Sequence, residues 1–388
     1  MSMEFTYYMP AKILFGKGAL DKLAETSLPG HKALIVISAG GSMKRMGYLD
    51  RVQGLLKQNG VESTVYAGIK PNPTLENVRD GAAMAREQGC DFVIGLGGGS
   101  SIDAAKSIAV MAVNEGDYWD YLSGGSGKGQ PVPNKPLPIV AITTTAGTGT
   151  EADPWTVVTK EDTHEKIGFG NEDTFPTLSI VDPDLMESVP PHLTAYQGFD
   201  ALFHSTEGYL ANIATPISDV FALKSIELIG KSLAKAVKDG SDEEARADVA
   251  LANTLSGLVE STSSCISEHS LEHALSGFHP ELPHGAGLIM ISEAYYSFFA
   301  DKAPRRMVDM ARALGKEDAD KPMDFVDALV KLQEDCGVRD LKMSDFGIDR
   351  DFTKYAQNAM DTMGGLFEFD PYHLSLEEAA SIYEKAYK

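Results

Sequence analysis

CDFVIGLGGGSSIDAAKSIAVMAVN (residues 90–114) predicts a buried strand that runs through a glycine loop into a helix. The strand half is almost continuously apolar, which is typical of parallel strands covered on both faces. Glycines allow a bound group to approach the backbone, and the N–H groups at the start of a helix attract anions. The segment therefore predicts a strand–loop–helix unit that could bind a phosphate.

The glycine loop has an alternative interpretation. Its pattern Gly95-x-Gly97-x-x-Ser100 lacks the last glycine of the usual dinucleotide fingerprint, and no Gly-Lys-Ser/Thr follows it as in a P-loop. A plain strand-to-helix turn capped by Ser100 or Ser101 would account for the same residues. Asp103 is then expected to cap helix N–H groups and steady the loop.

The surrounding segments extend this unit into a domain. Further strands are predicted over 31–38, 63–69 and 136–145, with helical stretches over 46–59 and 77–89 between them. This alternation is typical of βαβ units and a parallel, doubly wound sheet. The residues after about 185 instead show long helical windows, at 194–211, 218–235, 245–276 and 322–335. We predict an α/β domain over 1–185 and an all-helical domain over 186–388.

Composition excludes several classes of protein. The formal net charge of −22 over 388 residues disfavours nucleic acid as a partner. No apolar run is long enough for a membrane span, and the first residues lack the pattern of a secretion signal. The three cysteines (Cys90, Cys265 and Cys336) are far apart, which fits a reducing cytoplasm rather than a disulfide framework.

Two further loops bear on the cofactor. Residues 143–151, TTTAGTGTE, follow a predicted strand with hydroxyls that could bind a diphosphate or ribose, or could form ordinary threonine turns. After the strand at 31–38, Gly40, Gly41 and Ser42 stand where an enzyme specific for NAD often carries a carboxylate, and Lys44 and Arg45 follow. That combination favours a 2′-phosphate, and so NADP(H) over NAD(H), unless the two cations only begin a solvated helix.

Carboxylate and imidazole groups cluster in the second half. Asp200 and His204 are four residues apart, as are His269 and His273, so each pair would share one face of a helix. Such donors suit Fe²⁺ or Zn²⁺. His269–His273 also matches the H-x-x-E-H pattern of inverted zinc peptidases, with Glu272 as base, but that alternative leaves the α/β half unexplained.

Taken together, these motifs resemble the iron-dependent (group III) alcohol dehydrogenase family, in particular its butanol-dehydrogenase-like and lactaldehyde-reductase-like members. The resemblance covers essentially the whole chain through five motifs in order: ILFGKGA (13–19), PNPT (71–74), GGGSSID (97–103), TTAGTGTE (144–151) and the histidine-rich stretch that ends in PHG (283–285). It implies that residues 1–185 form an α/β dinucleotide-binding domain, that residues 186–388 form an all-helical metal-binding and substrate domain, and that the active site lies between them.

The resemblance also implies site residues. The metal ligands fall on Asp200, His204, His269 and His284, with His279 as a rival for the last position, and His273 lies near the nicotinamide and substrate as a candidate proton relay. Cofactor contacts fall on Asn72, Gly98, Gly99, Ser100, Ser101, Thr144, Thr145, Thr148 and Lys166.

The implied activity is hydride transfer between NAD(P)H and a small aldehyde or primary alcohol, working as an aldehyde reductase with Fe²⁺, or Zn²⁺, polarising the substrate oxygen. A homodimer or higher homo-oligomer is expected. A dehydroquinate-synthase-like or glycerol-dehydrogenase-like enzyme is the alternative, and the first of these would need a more basic site than residues 192–290 offer.

Overall fold

A computed structural model describes residues 4–388 of the chain. It divides into two compact units. One comprises Met9–Thr145 and Thr150–Met186; the other comprises Glu187–Lys388 with the short segment Ala146–Gly149 and the residues before Met9. We refer to them as the sheet unit and the helical unit. No helix within the described residues has the length and apolar character needed to cross a bilayer.

The sheet unit is built on a six-stranded parallel sheet, as the strand–helix alternation predicted. The strands are β1 (Lys12–Phe15), β2 (Lys32–Ser38), β3 (Glu62–Ile69), β4 (Phe92–Gly97), β5 (Ile139–Thr143) and β8 (Leu178–Val181). Their order across the sheet is β1-β8-β5-β4-β2-β3. The chain builds the sheet outward in one direction through β3 and then in the other through β4 and β5. The reversal of strand order therefore falls between β2 and β4, the usual ligand position in open parallel sheets.

Both faces of this sheet are buried. The helices of the unit are α1 (Ser42–Arg45), α2 (Tyr48–Gln58), α3 (Leu75–Gln88) and α4 (Gly99–Val113). Along β2, Ile35 and Ile37 belong to the apolar cluster that includes α2, whereas Leu34 and Val36 belong to the cluster that includes α4. Successive side chains of a strand point to opposite faces, so a continuous apolar run is what a doubly covered strand requires.

An antiparallel hairpin, which the sequence analysis missed, joins the sheet unit through a buried polar network. It consists of β6 (Thr156–Lys160) and β7 (Glu165–Phe169). The fully buried Lys106 of α4 donates to Asp153 and to the Trp155 carbonyl just before β6. Asp103 accepts from the Thr150 hydroxyl at 2.8 Å and from Val157 N at 2.9 Å. The expectation that Asp103 caps its own helix was therefore wrong: its carboxylate ties the hairpin to α4.

The helical unit contains no strand among its described residues. Its helices are α5 (Pro191–Leu210), α6 (Pro216–Lys238), α7 (Glu243–Thr262), α8 (Ser267–Phe278), α9 (His284–Phe299), α10 (Pro304–Ala313), α11 (Met323–Asp335), α12 (Phe352–Phe367) and α13 (Leu376–Ala386). Side-chain caps at Thr215, Asp242 and Ser375 begin α6, α7 and α13. These caps satisfy backbone N–H groups that a helix leaves without partners in its first turn.

The helical window predicted over 245–276 is interrupted in the structure. Helix α7 ends at Thr262 and α8 begins at Ser267. The interruption follows a run of hydroxyl residues: Thr262 Oγ1 donates back to the Leu258 carbonyl, and Ser263 Oγ donates to the Gly208 carbonyl on α5. Hydroxyls that bond to nearby backbone compete with helix continuation. Helix α8, which begins after this break, places His269 Nε2 3.5 Å from Asp200 Oδ1 of α5.

Candidate metal centre and cofactor-binding loops

The glycine loop and the threonine loop lie side by side at the carboxyl edge of the sheet. Strands β4 and β5 pair in register up to Gly97 and Thr143, and Thr144 N donates to the Gly97 carbonyl at 2.9 Å. A Cβ atom on Gly98 would lie 2.9 Å from Thr145 Oγ1, and Gly97 has a φ of +147°. Both positions therefore need glycine, and without side chains at these positions a bound group can approach the backbone closely.

The start of α4 carries no side-chain cap. The helix begins at Gly99, its N-cap residue is Gly98, and no side chain accepts a hydrogen bond there. Ser100 and Ser101 lie inside the helix, so the capping alternative considered for them is wrong. A helix N-terminus without a side-chain cap, preceded by glycines, is the arrangement that accommodates a phosphate.

The other predicted cofactor contacts are distributed over several loops. Gly40, Gly41 and Ser42 connect β2 to α1, and Asn72, with a left-handed φ of 54°, follows β3. Gly40 is exposed, and Arg45 Nη1 donates to its carbonyl at 2.6 Å. Lys166 lies on β7 and is buried, whereas Thr148 belongs to the Ala146–Gly149 segment of the helical unit.

Three helices of the helical unit position the predicted metal ligands. Helix α5 carries Asp200 and His204 one turn apart, α8 carries His269, and α9 begins at His284. Helix α9 packs against both of the others. Its second residue has to be glycine, because a Cβ on Gly285 would lie 2.2 Å from the Tyr196 carbonyl of α5.

The donor atoms surround one carboxylate oxygen. Asp200 Oδ1 lies 3.4 Å from His204 Nδ1, 3.5 Å from His269 Nε2 and 3.5 Å from His284 Nε2. Asp200 Oδ1 and His269 Nε2 are buried and make no hydrogen bond. In a tetrahedral site with bonds of about 2.1 Å, neighbouring donor atoms lie about 3.4 Å apart. The spacing and the orphaned atoms therefore fit a bound divalent ion.

Not all four predicted ligands are equivalent. Donor atoms of Asp200, His269 and His284 all lie within 4.8 Å of one another. His204 instead shares a donor set of that size with Cys265 and His269, and its Nε2 lies 3.4 Å from Glu260 Oε1. Its Nδ1 is also 3.3 Å from the Gly147 carbonyl. The compact set is therefore Asp200, His269 and His284, with His204 directly beside it.

Protonation in this cluster is set by burial and by the neighbouring charges. Burial by itself would raise the pKa of Asp200, but the adjacent His204 and His284 hold that pKa below its usual range. Burial, reinforced by the nearby His269, lowers the pKa of His204 to about 3. An ionised carboxylate next to a neutral imidazole is the protonation state that a metal requires of its ligands.

The two remaining histidines of this region face other partners. His273 Nδ1 lies 2.9 Å from Met363 Sδ, and its ring centre is 5.3 Å from that of His284. His279 Nε2 lies 2.9 Å from the Tyr355 hydroxyl. The geometry thus favours His284 over its rival His279 as the ligand next to Asp200.

Two buried glutamates that the sequence analysis did not place in the metal site contact the imidazoles of two predicted ligands. Glu207 lies against His269 Nδ1, and Glu272 lies against His284 Nδ1. Helical spacing could have revealed Glu207, because it follows Asp200 by seven residues and shares its face of α5. Glu272 was noticed only as the base of a peptidase motif, and its contact with His284 gives it a different environment.

Known proteins identify the class to which this chain belongs. The model of the iron-containing alcohol dehydrogenase family matches residues 10–183, and that of the C-terminal region of the Fe-containing alcohol dehydrogenase family matches residues 194–387. The chain is a member of the iron-containing alcohol dehydrogenase family and an enzyme of that class.

Individual relatives extend over the full length. Alcohol dehydrogenase 4 of Schizosaccharomyces pombe is 36% identical over 98% of this chain and 88% of its own length. The 1,3-propanediol dehydrogenase of Klebsiella pneumoniae is 33% identical over 99% of both chains. The crystal structure of the archaeal halo-thermophilic Red Sea brine pool alcohol dehydrogenase ADH/D1, bound to NZQ, superposes with a TM-score of 0.95 at 35% identity over 100% of both chains.

Proposed function

We propose that this protein reduces a small aldehyde to its primary alcohol with a nicotinamide cofactor, using a divalent metal held by Asp200, His204, His269 and His284. The observation that carries the proposal is the buried Asp200 oxygen with three imidazole nitrogens at 3.4–3.5 Å. Family membership supplies the reaction class, and the uncapped glycine turn at the start of α4 supplies a place for the diphosphate.

The metal provides Lewis acidity toward the substrate oxygen, and the reduced nicotinamide provides the hydride. The chain supplies the rest. With the metal bound, Asp200 would contribute a carboxylate oxygen, and His204, His269 and His284 would each contribute the lone pair of a ring nitrogen. Burial of Asp200, His204 and His269 keeps bulk water from their donor atoms and strengthens the electrostatic interactions of these groups. His273, with its ring 5.3 Å from that of His284, is our candidate for exchanging the alcohol proton with solvent.

The cofactor is proposed to lie along the carboxyl edge of the sheet. The predicted contacts Gly98, Gly99, Ser100 and Ser101 would hold the diphosphate, and Thr144, Thr145 and Thr148 its neighbouring groups, with Asn72 and Lys166 as further contacts. Gly40, Gly41 and Ser42 present no carboxylate to the ribose, which supports NADP(H). Fe²⁺ is the family's metal, and Zn²⁺ also suits this donor set.

The cytoplasmic location and the homodimer stay predictions from the sequence. A zinc peptidase of the H-x-x-E-H type has no support from the site, because the Glu272 carboxylate is directed at His284 Nδ1. The family match likewise replaces the dehydroquinate-synthase-like alternative.

A metal analysis combined with an aldehyde panel tests this proposal. Protein purified without oxygen should contain about one divalent ion per chain and should oxidise NADPH with short aldehydes. Asp200→Ala should lose both the ion and the turnover, since a lost ligand leaves the ion under-coordinated. Full metal occupancy in Asp200→Ala would refute the ligand assignment. Absence of turnover with every aldehyde, with or without added Fe²⁺, would refute the activity.

A further inference from the structure

The two ligand imidazoles on α8 and α9 are held in the same way. His269 and His284 each place Nδ1 against a glutamate carboxylate and direct Nε2 at Asp200 Oδ1, at 3.5 Å in both cases. The glutamates, Glu207 and Glu272, are fully buried. A neutral imidazole that donates Nδ1–H to a carboxylate presents Nε2 as a lone pair, which is the tautomer a metal needs.

Besides contacting His269 Nδ1, Glu207 accepts hydrogen bonds from the backbone. Its Oε2 accepts from Ile266 N at 2.7 Å and from His269 N at 3.3 Å, so it also satisfies backbone groups at the start of α8. Replacing Glu207 would therefore disturb the helix N-terminus together with the imidazole.

The fold leaves room for the Glu272 carboxylate beside His284. Glu272 lies one turn after His269 on α8, and a Cβ on Gly287 of α9 would lie 2.7 Å from Glu272 Oε1. Gly287 is one turn beyond His284 on α9, so the glycine that admits the carboxylate and the histidine that receives it share one face of that helix.

We infer that Glu272 is a positioning residue that fixes the tautomer and the ring orientation of His284 and thereby sets the affinity of the site for divalent metal. The inference rests on the proposed function, because it assigns His284 as a metal ligand. Removing a hydrogen-bond partner of a ligand histidine costs about 10–100-fold in metal affinity. The same loss is expected for Glu272→Gln, whose neutral amide accepts Nδ1–H weakly or, when flipped, donates to Nδ1 and imposes the wrong tautomer.

The test uses the metal-free full-length protein and two readouts. Long-range nitrogen–proton NMR spectra of isotope-labelled histidine report the His284 tautomer without any metal. Titration with Co²⁺ gives the dissociation constant and a visible spectrum sensitive to coordination. Glu272→Gln should lose the Nδ1–H tautomer of His284 and bind Co²⁺ about 10–100-fold more weakly. Glu281→Gln is the matched control, since Glu281 is exposed in the loop just before His284, and it should behave as wild type in both.

A second variant tests the inference even if Glu272→Gln fails to fold. Gly287→Ala keeps Glu272 and every ligand, but its new methyl group would lie 2.7 Å from Glu272 Oε1 and displace that carboxylate. It should therefore change the His284 tautomer and the Co²⁺ affinity in the same direction as Glu272→Gln, by a smaller amount. Wild-type Co²⁺ affinity together with an unchanged His284 tautomer in Glu272→Gln would overturn the inference. Failure of the wild-type protein to bind Co²⁺ would instead contradict the proposed function, and the tautomer measurement on metal-free protein would still decide the role of Glu272.

Discussion

Replacing Lys106 with methionine would remove a completely buried ammonium group from the sheet unit. Lys106 Nζ donates to Thr150 Oγ1 at 2.7 Å, to the Asp153 carbonyl at 2.9 Å, to Asp153 Oδ1 at 3.1 Å and to the Trp155 carbonyl at 2.7 Å. Methionine has a similar length and apolar volume but donates nothing. The Asp153 carboxylate, of which only 2% is exposed, would then lose its counter-charge.

The loss of this buried ion pair sets the expected decrease in the free energy of unfolding. Breaking a buried ion pair by removing one partner costs about 3–5 kcal/mol, because the other charge stays desolvated. For a folded unit of this size, each kcal/mol lowers the melting temperature by about 2–4 °C, so a decrease of about 6–20 °C is expected. Since burial already raises the pKa of Asp153, the penalty should shrink at acidic pH, where that carboxyl takes up a proton.

Both tryptophans of the chain, Trp119 and Trp155, belong to the sheet unit, so tryptophan fluorescence during urea unfolding reports on that unit. Lys70→Met is the matched control: its partner Glu161 and Lys70 itself are each 50% exposed, and such pairs contribute about 0–1 kcal/mol. The double variant Lys106→Met with Asp153→Asn should recover part of the loss. A decrease for Lys106→Met no larger than that for Lys70→Met would refute the reasoning.

Three further predictions concern the cofactor, the pH dependence and the metal. Gly40→Asp should shift preference from NADPH toward NADH through repulsion of the 2′-phosphate; an unchanged ratio of kcat/KM values would place that phosphate elsewhere. Burial raises the pKa of Asp103 to about 6, so it favours the folded protein only while protonated; wild-type stability relative to Asp103→Asn should fall from about pH 4 to about pH 6, and a constant difference in urea midpoint would contradict this. His284→Gln should lose bound metal, whereas His279→Gln, whose Nε2 faces Tyr355, should retain it; equal metal contents would reject the choice between them.

The fold class was accessible from sequence because it depends on local periodicity. A strand with a continuous apolar run, such as residues 31–38, needs apolar neighbours on both faces of the sheet. The helices between successive strands return the chain to the same edge, so the strands are parallel. The glycine loop was equally clear, since few structures need three glycines between a strand and a helix. The hairpin of β6 and β7 escaped because its short strands carry lysine and glutamate, which weaken the expected alternation.

Sequence by itself determined which residue types form the candidate metal site. Helical spacing linked Asp200 to His204, and resemblance to a family added His269 and His284. The tertiary structure alone decided how these residues meet. Helix α8 begins anew after α7 ends at Thr262, and Gly285 allows the start of α9 to approach α5 closely. In this packing, three imidazole nitrogens lie 3.4–3.5 Å from one oxygen of Asp200.

Tertiary structure also decided which partners Glu207, Glu272 and His279 contact. In sequence all three are polar residues within a turn or two of a candidate ligand, and nothing in their spacing says which imidazole each one faces. Hydrogen bonds have a range of about 3 Å and a direction, so partners are chosen only when helices distant along the chain are packed. Burial then makes these hydrogen-bond partners necessary, because a carboxylate removed from water is costly unless a donor bonds to it.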